Sequence, residues 1–200
     1  MDNSFCILAS QSQTRCQLLE KAGVKFKAEA AYVDEDALKE ALLLEKQSPR
    51  NIADALAEAK AVKISLKYPD AFVIGSDQIL EYDDQLFNKP AHLDDLRKKL
   101  ETLSGQTHKL YSAVVIAQQG RVLWRYVDMV KLSMRVISAS FLDRYMEKQG
   151  ATLLSSVGGY HIEGWGAQLF DRIEGDYFTI LGLPLLPLLS QLRHYGVLEK

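Results

Sequence analysis

Short apolar runs alternate with helix-like segments along the chain, and Gly, Pro or Asp residues separate them. The run 5–9 predicts a first strand, and Ser12 has the character of an N-cap for a helix over 13–22 that Gly23 ends. Further strands are predicted at 25–31, 71–74, 111–118 and 122–136, with a hairpin at 79–87 around Asp83-Asp84. Further helices are predicted at 34–46, at 49–67 after Ser48, at 92–103, from Ser140 to Gly150 and at 184–195.

This mixture of strands and helices predicts the α/β class, with a mixed central sheet flanked by helices and two lobes around a cleft. No internal repeat or linker interrupts the chain, so we expect one domain over residues 1–200. The helix 49–67 should turn one apolar face to the core, made by Ile52, Leu56, Ala59, Val62 and Leu66. Lys60 is predicted beside this face, with its amine reaching the cleft.

The composition of the chain mainly excludes some classes of partner and some cellular locations. The 200 residues are 48% hydrophobic and 25% charged, which is typical of a folded soluble protein. A formal net charge of −2 gives no overall basic field for nucleic acid or anionic lipid, so neither is expected as a partner. The two cysteines lack framework spacing, the apolar run near the N-terminus is too short for a signal peptide, and no run is long enough for a transmembrane helix. We therefore expect a cytoplasmic protein, and a homodimer is compatible with the sequence.

Polar residues interrupt the apolar runs where a soluble core does not need them. Cations suit phosphates, carboxylates suit a metal ion, and hydroxyl and backbone N–H groups suit phosphate oxygens, so the set favours an enzyme that handles a metal-bound polyphosphate. The candidate substrate-binding residues are Ser10, Ser12, Arg15, Lys60, Gln78, Lys89 and Glu163, and the candidate metal ligands are Glu35 and Asp77.

Asp77 is the sharpest single candidate and the one expected to be catalytic. It follows the buried run 71–74 directly, and open α/β sheets bind ligands beyond the carboxyl ends of their strands. Its carboxylate could hold a metal ion or accept a proton from an attacking water. The alternative is an Asp that caps a turn after Gly75.

The other candidates also have structural alternatives. Arg15 could bind phosphate oxygens through two of its guanidinium N–H groups, or it could lie in solvent on a capped surface helix. Glu35 lies in an acidic segment that could be no more than a helix start. Glu163 and Trp165 could form a wall that recognises a base, or a Gly-rich turn with a core Trp. Gly105 is expected to end a helix in a left-handed turn, with His108 structural.

Taken in order, these polar segments resemble the Maf family of septum-formation-inhibitor-like nucleotide pyrophosphatases. The resemblance covers nearly the whole chain, and its strength is in the order of the segments rather than in any one of them. They are Ser10 to Arg15, Val33-Asp34-Glu35, Lys60-Ala61, Gly75-Ser76-Asp77, Lys89-Pro90, Leu103-Ser104-Gly105, Thr107-His108, Glu174 to Tyr177 and Gly182-Leu183-Pro184.

The resemblance implies a fold similar to inosine-triphosphate pyrophosphatases and cleavage of nucleoside triphosphates to a monophosphate and pyrophosphate. It also implies a divalent cation, with Mg²⁺ or Mn²⁺ expected. By the same resemblance, Asp77 is the proton acceptor and the early Ser and Arg positions handle phosphate. We therefore expect five side chains to converge on one triphosphate and its ion: Arg15, Glu35, Lys60, Asp77 and Lys89.

The chain departs from the family pattern in ways that bear on its substrate. Gln13-Thr14 replaces the usual Pro-Arg, and Gln78 and Glu163 replace the commoner Thr and Gln. The last two variants look like the branch that acts on 7-methyl-GTP, and a carboxylate suits a cationic methylated guanine. The alternatives are therefore a 7-methyl-GTP-specific pyrophosphatase, or a non-catalytic nucleotide-binding regulator of septum formation.

Overall fold

A computed structural model of the chain describes residues 5–199, and within that range seven strands form one mixed sheet. The strands are β1 (Cys6–Leu8), β2 (Lys27–Ala28), β3 (Phe72–Tyr82), β4 (Gln85–Phe87), β5 (Thr107–Gln118), β6 (Arg121–Met134) and β7 (Phe170–Glu174). Their order is β2-β1-β3-β5-β6-β7, with β4 beside β3. The sheet is mixed because β1 runs parallel to β2 and β3, whereas the β3–β4 and β6–β7 pairs are antiparallel.

Seven α-helices accompany the sheet in the described part of the chain, so the predicted α/β class is confirmed. They are α1 (Gln13–Lys21), α2 (Glu35–Leu44), α3 (Pro49–Lys67), α4 (Leu93–Leu103), α5 (Ala139–Gln149), α6 (Tyr177–Ile180) and α7 (Leu185–His194), with 3₁₀ turns at Gly150–Ser155 and Trp165–Leu169. The predicted cap of α1 is confirmed, since Ser12 accepts a hydrogen bond from the Arg15 N–H. None of the helices within 5–199 has the length and apolar character needed to cross a membrane.

The chain divides into two compact units, each built from segments distant in sequence. Unit 1 comprises Met1–Gln78, Ser112–Asp128 and Tyr177–Lys200, and unit 2 comprises Ile79–Tyr111 and Met129–Asp176. Residues 1–4 and 200 of the expected single domain lie outside the described range. One domain over the whole chain, with lobes around a cleft, stays a prediction.

Each unit has its own hydrophobic core. In unit 1, α1 and α7 bury leucines such as Leu19 and Leu188 against the strand residues Leu8 and Ile74. In unit 2, α4 contacts α5 and the turn Gly150–Ser155. The fully buried side chains of α4 are Leu96, Leu100 and Leu103. Burial of these apolar side chains is what holds each unit together.

A close contact between α3 and β3 organises unit 1. Gly75 lies so near the helix that a β-carbon there would meet the Ala57 carbonyl oxygen at 2.1 Å and the Ala61 β-carbon at 2.8 Å. Only glycine on the strand and small residues on the helix permit this approach. The buried face of α3 is accordingly Ile52, Ala53, Leu56, Ala57, Lys60, Ala61, Ile64 and Ser65.

The predicted apolar face of α3 is therefore only partly right. Ile52 and Leu56 are buried as expected, but Leu66 is 67% exposed, and Ala59 and Val62 are half-buried. The alanines that contact the strand turn the helix so that Lys60 lies on the buried face, not beside it.

Strand β3 is much longer than the predicted 71–74, and this moves Asp77. The prediction that Asp77 follows the end of a strand is wrong, because the strand continues through it to Tyr82. The polar residues that follow the run 71–74 predict the end of the strand there. Here, however, Ser76, Asp77 and Gln78 each have partners inside the protein, and a buried strand tolerates such residues.

Two local predictions have opposite outcomes. The hairpin around Asp83-Asp84 is confirmed, with both residues at positive φ (51° and 56°), as a tight two-residue turn requires. Ser140 as the cap of α5 is wrong: Ser138 accepts the Phe141 N–H, so the helix begins at Ala139. The two serines flank the same turn, and the earlier one has the extended backbone that a cap needs.

Replacing Gly75 by Ala should destabilise the protein by about 3 kcal/mol, because the added methyl group overlaps the α3 backbone and forces the helix away from β3. The free energy of unfolding in urea measures the effect. Gly164→Ala is the matched control, since a β-carbon there meets nothing within 4 Å. Equal unfolding midpoints for the two variants would contradict this packing.

Candidate functional site

Lys60 and Asp77 form a buried ion pair in unit 1. Both side chains are about 10% exposed, and the Lys60 Nζ lies 2.6 Å from the Asp77 Oδ1. The pairing follows from the α3–β3 contact. Asp77 is two residues beyond Gly75 and lies on the same face of the strand, while Lys60 is three residues beyond Ala57 on the same face of the helix.

Glu35 completes a three-charge cluster with this pair. Its Oε1 lies 3.0 Å from the Lys60 Nζ, and its side chain is 48% exposed. Glu35 is the first residue of α2, whose N-cap Asp34 accepts a hydrogen bond from the Ala37 N–H. The cap holds the start of the helix so that one carboxylate of the acidic segment reaches the buried ammonium.

Arg15 is buried beside the same charges. Its Nε donates to the Gly182 carbonyl at 2.8 Å, and its Nη1 donates to the Ser76 carbonyl at 3.0 Å. Burial lowers the pKa of Arg15, and the negative charges of Asp77 and Glu35 oppose that shift. The guanidinium therefore remains a fixed positive charge within the field of both carboxylates.

Ser10 and Ser12 lie at the entry to α1, next to Arg15. The Ser10 hydroxyl oxygen accepts from the Ser12 N–H at 3.2 Å and from the Arg15 Nη1 at 3.3 Å. Hydroxyl groups beside a helix N-terminus and an arginine suit an anion, because N–H groups and positive charge face the same space. The structure thus brings Ser10, Ser12, Arg15, Glu35, Lys60 and Asp77 together in unit 1.

Gln78 has a different environment, on the opposite face of β3. Its Nε2 donates at 3.0 Å to the Ser112 hydroxyl and to the carbonyls of Thr179 and Ile180. Both N–H groups of the amide are thereby used inside the protein. A substrate contact by Gln78 would have to use its oxygen, Oε1.

Lys89 and Glu163 belong to unit 2. Glu163 is exposed, and Trp165 begins the 3₁₀ turn after it. The Lys148 Nζ lies 4.1 Å from the centroid of the Trp165 ring. One face of this indole therefore already has a cationic partner, and a stacked base would have to use the other.

The carboxylates fit the predicted metal ion in part. No group of three or more His, Cys, Asp or Glu side chains is arranged for a metal ion within residues 5–199. Glu35 and Asp77 nevertheless approach one cation, Lys60, and supply the hard oxygen ligands that Mg²⁺ prefers. Such an ion keeps few protein ligands and takes phosphate and water oxygens for the rest.

Sequence reasoning missed the role of the segment around Gly182. Its carbonyl accepts from both the Arg15 Nε and, at 3.0 Å, the Ser76 hydroxyl. Gly182 has a positive φ of 89°, and a β-carbon there would lie 3.4 Å from the Arg15 Nη2. The Gly-Leu-Pro spacing was visible in the sequence, but nothing in it indicated that a backbone carbonyl would hold the arginine.

A polar cavity of about 270 Å³ lies elsewhere in unit 1, and none of the candidate residues lines it. Its lining residues are Arg50, Asn51, Asp54, Arg125, Tyr126 and Val127. Arg125 pairs there with Asp54 at 2.6 Å and with Glu58 at 2.8 Å, so much of its charge is already balanced. The buried cluster around Lys60 is the better candidate for chemistry.

Comparison with known proteins identifies the family of the chain. A family model described as "Maf-like protein" matches residues 6–195. The chain belongs to the Maf family. Among curated members, a nucleoside triphosphate pyrophosphatase from Caulobacter vibrioides is 56% identical over 191 residues, which is 96% of each chain. A 7-methyl-GTP pyrophosphatase from Brucella abortus is 48% identical over 187 residues, 94% of each chain.

A second 7-methyl-GTP pyrophosphatase, from Rhizobium meliloti, is 47% identical over 193 residues, which is 96% of this chain and 97% of the relative. The predicted Maf family is thus confirmed over nearly the whole chain. The cluster of Arg15, Glu35, Lys60 and Asp77 is formed by segments that all lie within the family match.

His108 is buried in unit 2 and has a structural partner. Its Nε2 lies 2.6 Å from the Tyr160 hydroxyl, and its Nδ1 has no partner among the described residues. Burial lowers the pKa of His108 from 6.5 to about 4, because the charged imidazolium would lose its hydration.

The stability of the protein should therefore fall as the pH is lowered. Unfolded His108 takes up a proton near pH 6.5, whereas folded His108 does so only near pH 4. Between these pH values protons bind to the unfolded state in preference, so the free energy of unfolding is highest above pH 6.5 and falls until about pH 4. The loss amounts to about 3 kcal/mol between pH 7 and pH 4. Urea unfolding of the wild type and of His108→Gln at both pH values measures it, with the exposed His92→Gln as control. An identical pH dependence in all three proteins would refute the assignment.

Proposed function

We propose that this chain is a nucleoside triphosphate pyrophosphatase, a hydrolase that cleaves between the α and β phosphates to give a nucleoside monophosphate and pyrophosphate. The observation that carries the proposal is the charge cluster of unit 1, in which Lys60 pairs with both Asp77 and Glu35 beside the buried Arg15. The names of the curated relatives support the same activity.

Asp77 is the proposed proton acceptor. It orients or deprotonates the water that attacks the α phosphorus, so that a new P–O bond forms as the bond to the bridging oxygen breaks and pyrophosphate leaves. The ion pair with Lys60 supports this role, because it holds the carboxylate in place.

The cations of the cluster are proposed to bind the leaving group. Lys60 can turn from its carboxylates to a phosphate oxygen, while Arg15 supplies a fixed charge that favours the same anion. Ser10 and Ser12 offer hydroxyl groups at the start of α1. Lys89 and Glu163, which belong to unit 2, stay predicted substrate residues. Lys89 is predicted to be a cation for phosphate, and Glu163 a hydrogen-bond acceptor for the edge of a base.

Glu35 and Asp77 are the residues that would hold a divalent cation, with Mg²⁺ or Mn²⁺ expected. When bound, such an ion offsets charge on the phosphate oxygens. Without it, Lys60 pairs with both carboxylates and Arg15 supplies the second positive charge nearby.

The preferred base is part of the proposal. The relatives from Brucella abortus and Rhizobium meliloti are named for 7-methyl-GTP, and the Gln78 and Glu163 variants support that nucleotide as the alternative to a broad nucleoside triphosphate activity. The exposed Glu163 carboxylate favours a cationic base or one with N–H donors. A cytoplasmic location and a homodimer stay predictions from the sequence.

The products identify the reaction. Incubation with 7-methyl-GTP, GTP, UTP and dTTP and with Mg²⁺ or Mn²⁺ should release pyrophosphate and a nucleoside monophosphate, and a chelator should stop the release. Anion-exchange chromatography separates the products. Release of inorganic phosphate with a diphosphate would contradict the site of cleavage. Tight nucleotide binding without any product would favour the non-catalytic regulator.

Replacing Asp77 by Asn should lower kcat by at least about 100-fold, because the amide neither accepts the proton nor carries charge for the metal ion. The rise in Tm on nucleotide binding should remain, which shows that the variant is folded. Asp94→Asn, at an exposed position in the first turn of α4, is the matched control and should keep wild-type kcat. Full activity in Asp77→Asn would remove the proposed base.

A further inference from the structure

One buried lysine in unit 2 has no part in the reaction proposed above. Lys99 is 7% exposed on α4, one residue beyond the exposed Lys98. Its Nζ donates hydrogen bonds to two backbone carbonyls, those of Asn88 and, at 2.9 Å, Val157. A lysine is rarely buried without a carboxylate partner, so these two contacts call for an explanation.

The two carbonyls belong to segments that carry predicted substrate residues. Asn88 directly precedes Lys89 in residues 88–90, here called the lysine segment. Val157 begins residues 157–164, here called the glutamate segment because it contains Glu163. One ammonium group therefore binds the first residue of each segment, although the two segments are distant in sequence.

The glutamate segment is also packed against the same helix. A β-carbon at Gly159 would lie 2.3 Å from the Leu96 Cδ1, so only glycine lets the backbone approach α4 so closely. The next residue, Tyr160, is held by His108 at 2.6 Å. These contacts leave the start of the segment little freedom, and Lys99 connects that fixed start to the lysine segment.

The burial of Lys99 is costly for folding. Desolvation lowers its pKa to about 8, against a smaller opposing effect from the charge of Asp95. A buried charge is weak support for stability, and an apolar side chain of similar size is often as stable or more so. This cost is explained if the Lys99 ammonium group holds the two segments in place.

We propose that Lys99 is a positioning residue that holds Lys89 and Glu163 in register, so that unit 2 presents a phosphate-binding cation and a base-recognising carboxylate together. This rests on the proposed function, in which both residues bind the nucleotide. Lys99 itself touches neither substrate nor the reacting atoms. Its removal should weaken binding without removing the chemistry, since Asp77 and Lys60 are in unit 1.

The test compares Lys99→Met, which removes the ammonium but keeps most of the volume, with Lys98→Met on the exposed side of α4. For Lys99→Met we expect KM for the triphosphate to rise about tenfold while kcat stays within about twofold and Tm is unchanged or higher. Lys98→Met should keep the wild-type KM. Lys99→Arg, which retains a charged donor, should recover part of the lost affinity.

Two further measurements keep the outcomes separate. If Lys99→Met does not fold, Lys99→Gln takes its place, since the glutamine side chain is one bond shorter than that of lysine and carries no charge. The Kd of a non-hydrolysable triphosphate, measured by calorimetry without turnover, should rise in parallel with KM. Absence of pyrophosphate release by the wild type would defeat the proposed function, and Kd would still decide the role of Lys99. An unchanged KM and Kd, with or without a lower Tm, would overturn the positioning role.

Discussion

The contact between α3 and β3 at Gly75 is the constraint on which unit 1 depends. It brings two buried charges, Lys60 and Asp77, to 2.6 Å, and removing either one would leave the other without this partner. Because side chains alternate along a strand, the same geometry turns Ser76 and Gln78 to the opposite face, toward the segment around Gly182. Gly75 thus permits the close contact with α3, and the alternation of side chains along β3 decides which groups lie on each face.

The charge balance of the cluster explains how it could take a metal-bound triphosphate. Lys60 and Arg15 offset Glu35 and Asp77, so the protein alone has no uncompensated charge in this cluster. A divalent ion and a polyphosphate bring opposite charges that can divide between the same groups, the ion to the carboxylates and the phosphates to the cations. If the cluster takes such a ligand, the carboxylates and Arg15 are already in place, and the Lys60 ammonium is the group that has to move.

Much of the fold could be predicted from the sequence because local signals were strong. Ser12 and Ser48 cap their helices and Asp83-Asp84 forms its turn for reasons visible in a few neighbouring residues. The length of β3 could not be predicted, since Ser76 and Gln78 find partners more than 100 positions away, in the segment that ends at Gly182. Lys99 lies on the face of α4 that Leu96, Leu100 and Leu103 mark in the sequence, but nothing local indicates that two backbone carbonyls would hold its ammonium.

The proposed function requires Glu35, Lys60 and Asp77 to form one site for a metal ion and phosphate. Anomalous diffraction from crystals grown with Mn²⁺ and a non-hydrolysable nucleoside triphosphate tests it most directly. We expect a manganese peak bound by the carboxylates of Glu35 and Asp77, with the Lys60 ammonium moved onto a phosphate oxygen. Manganese and phosphate bound elsewhere, with Lys60 still paired to Asp77, would contradict it.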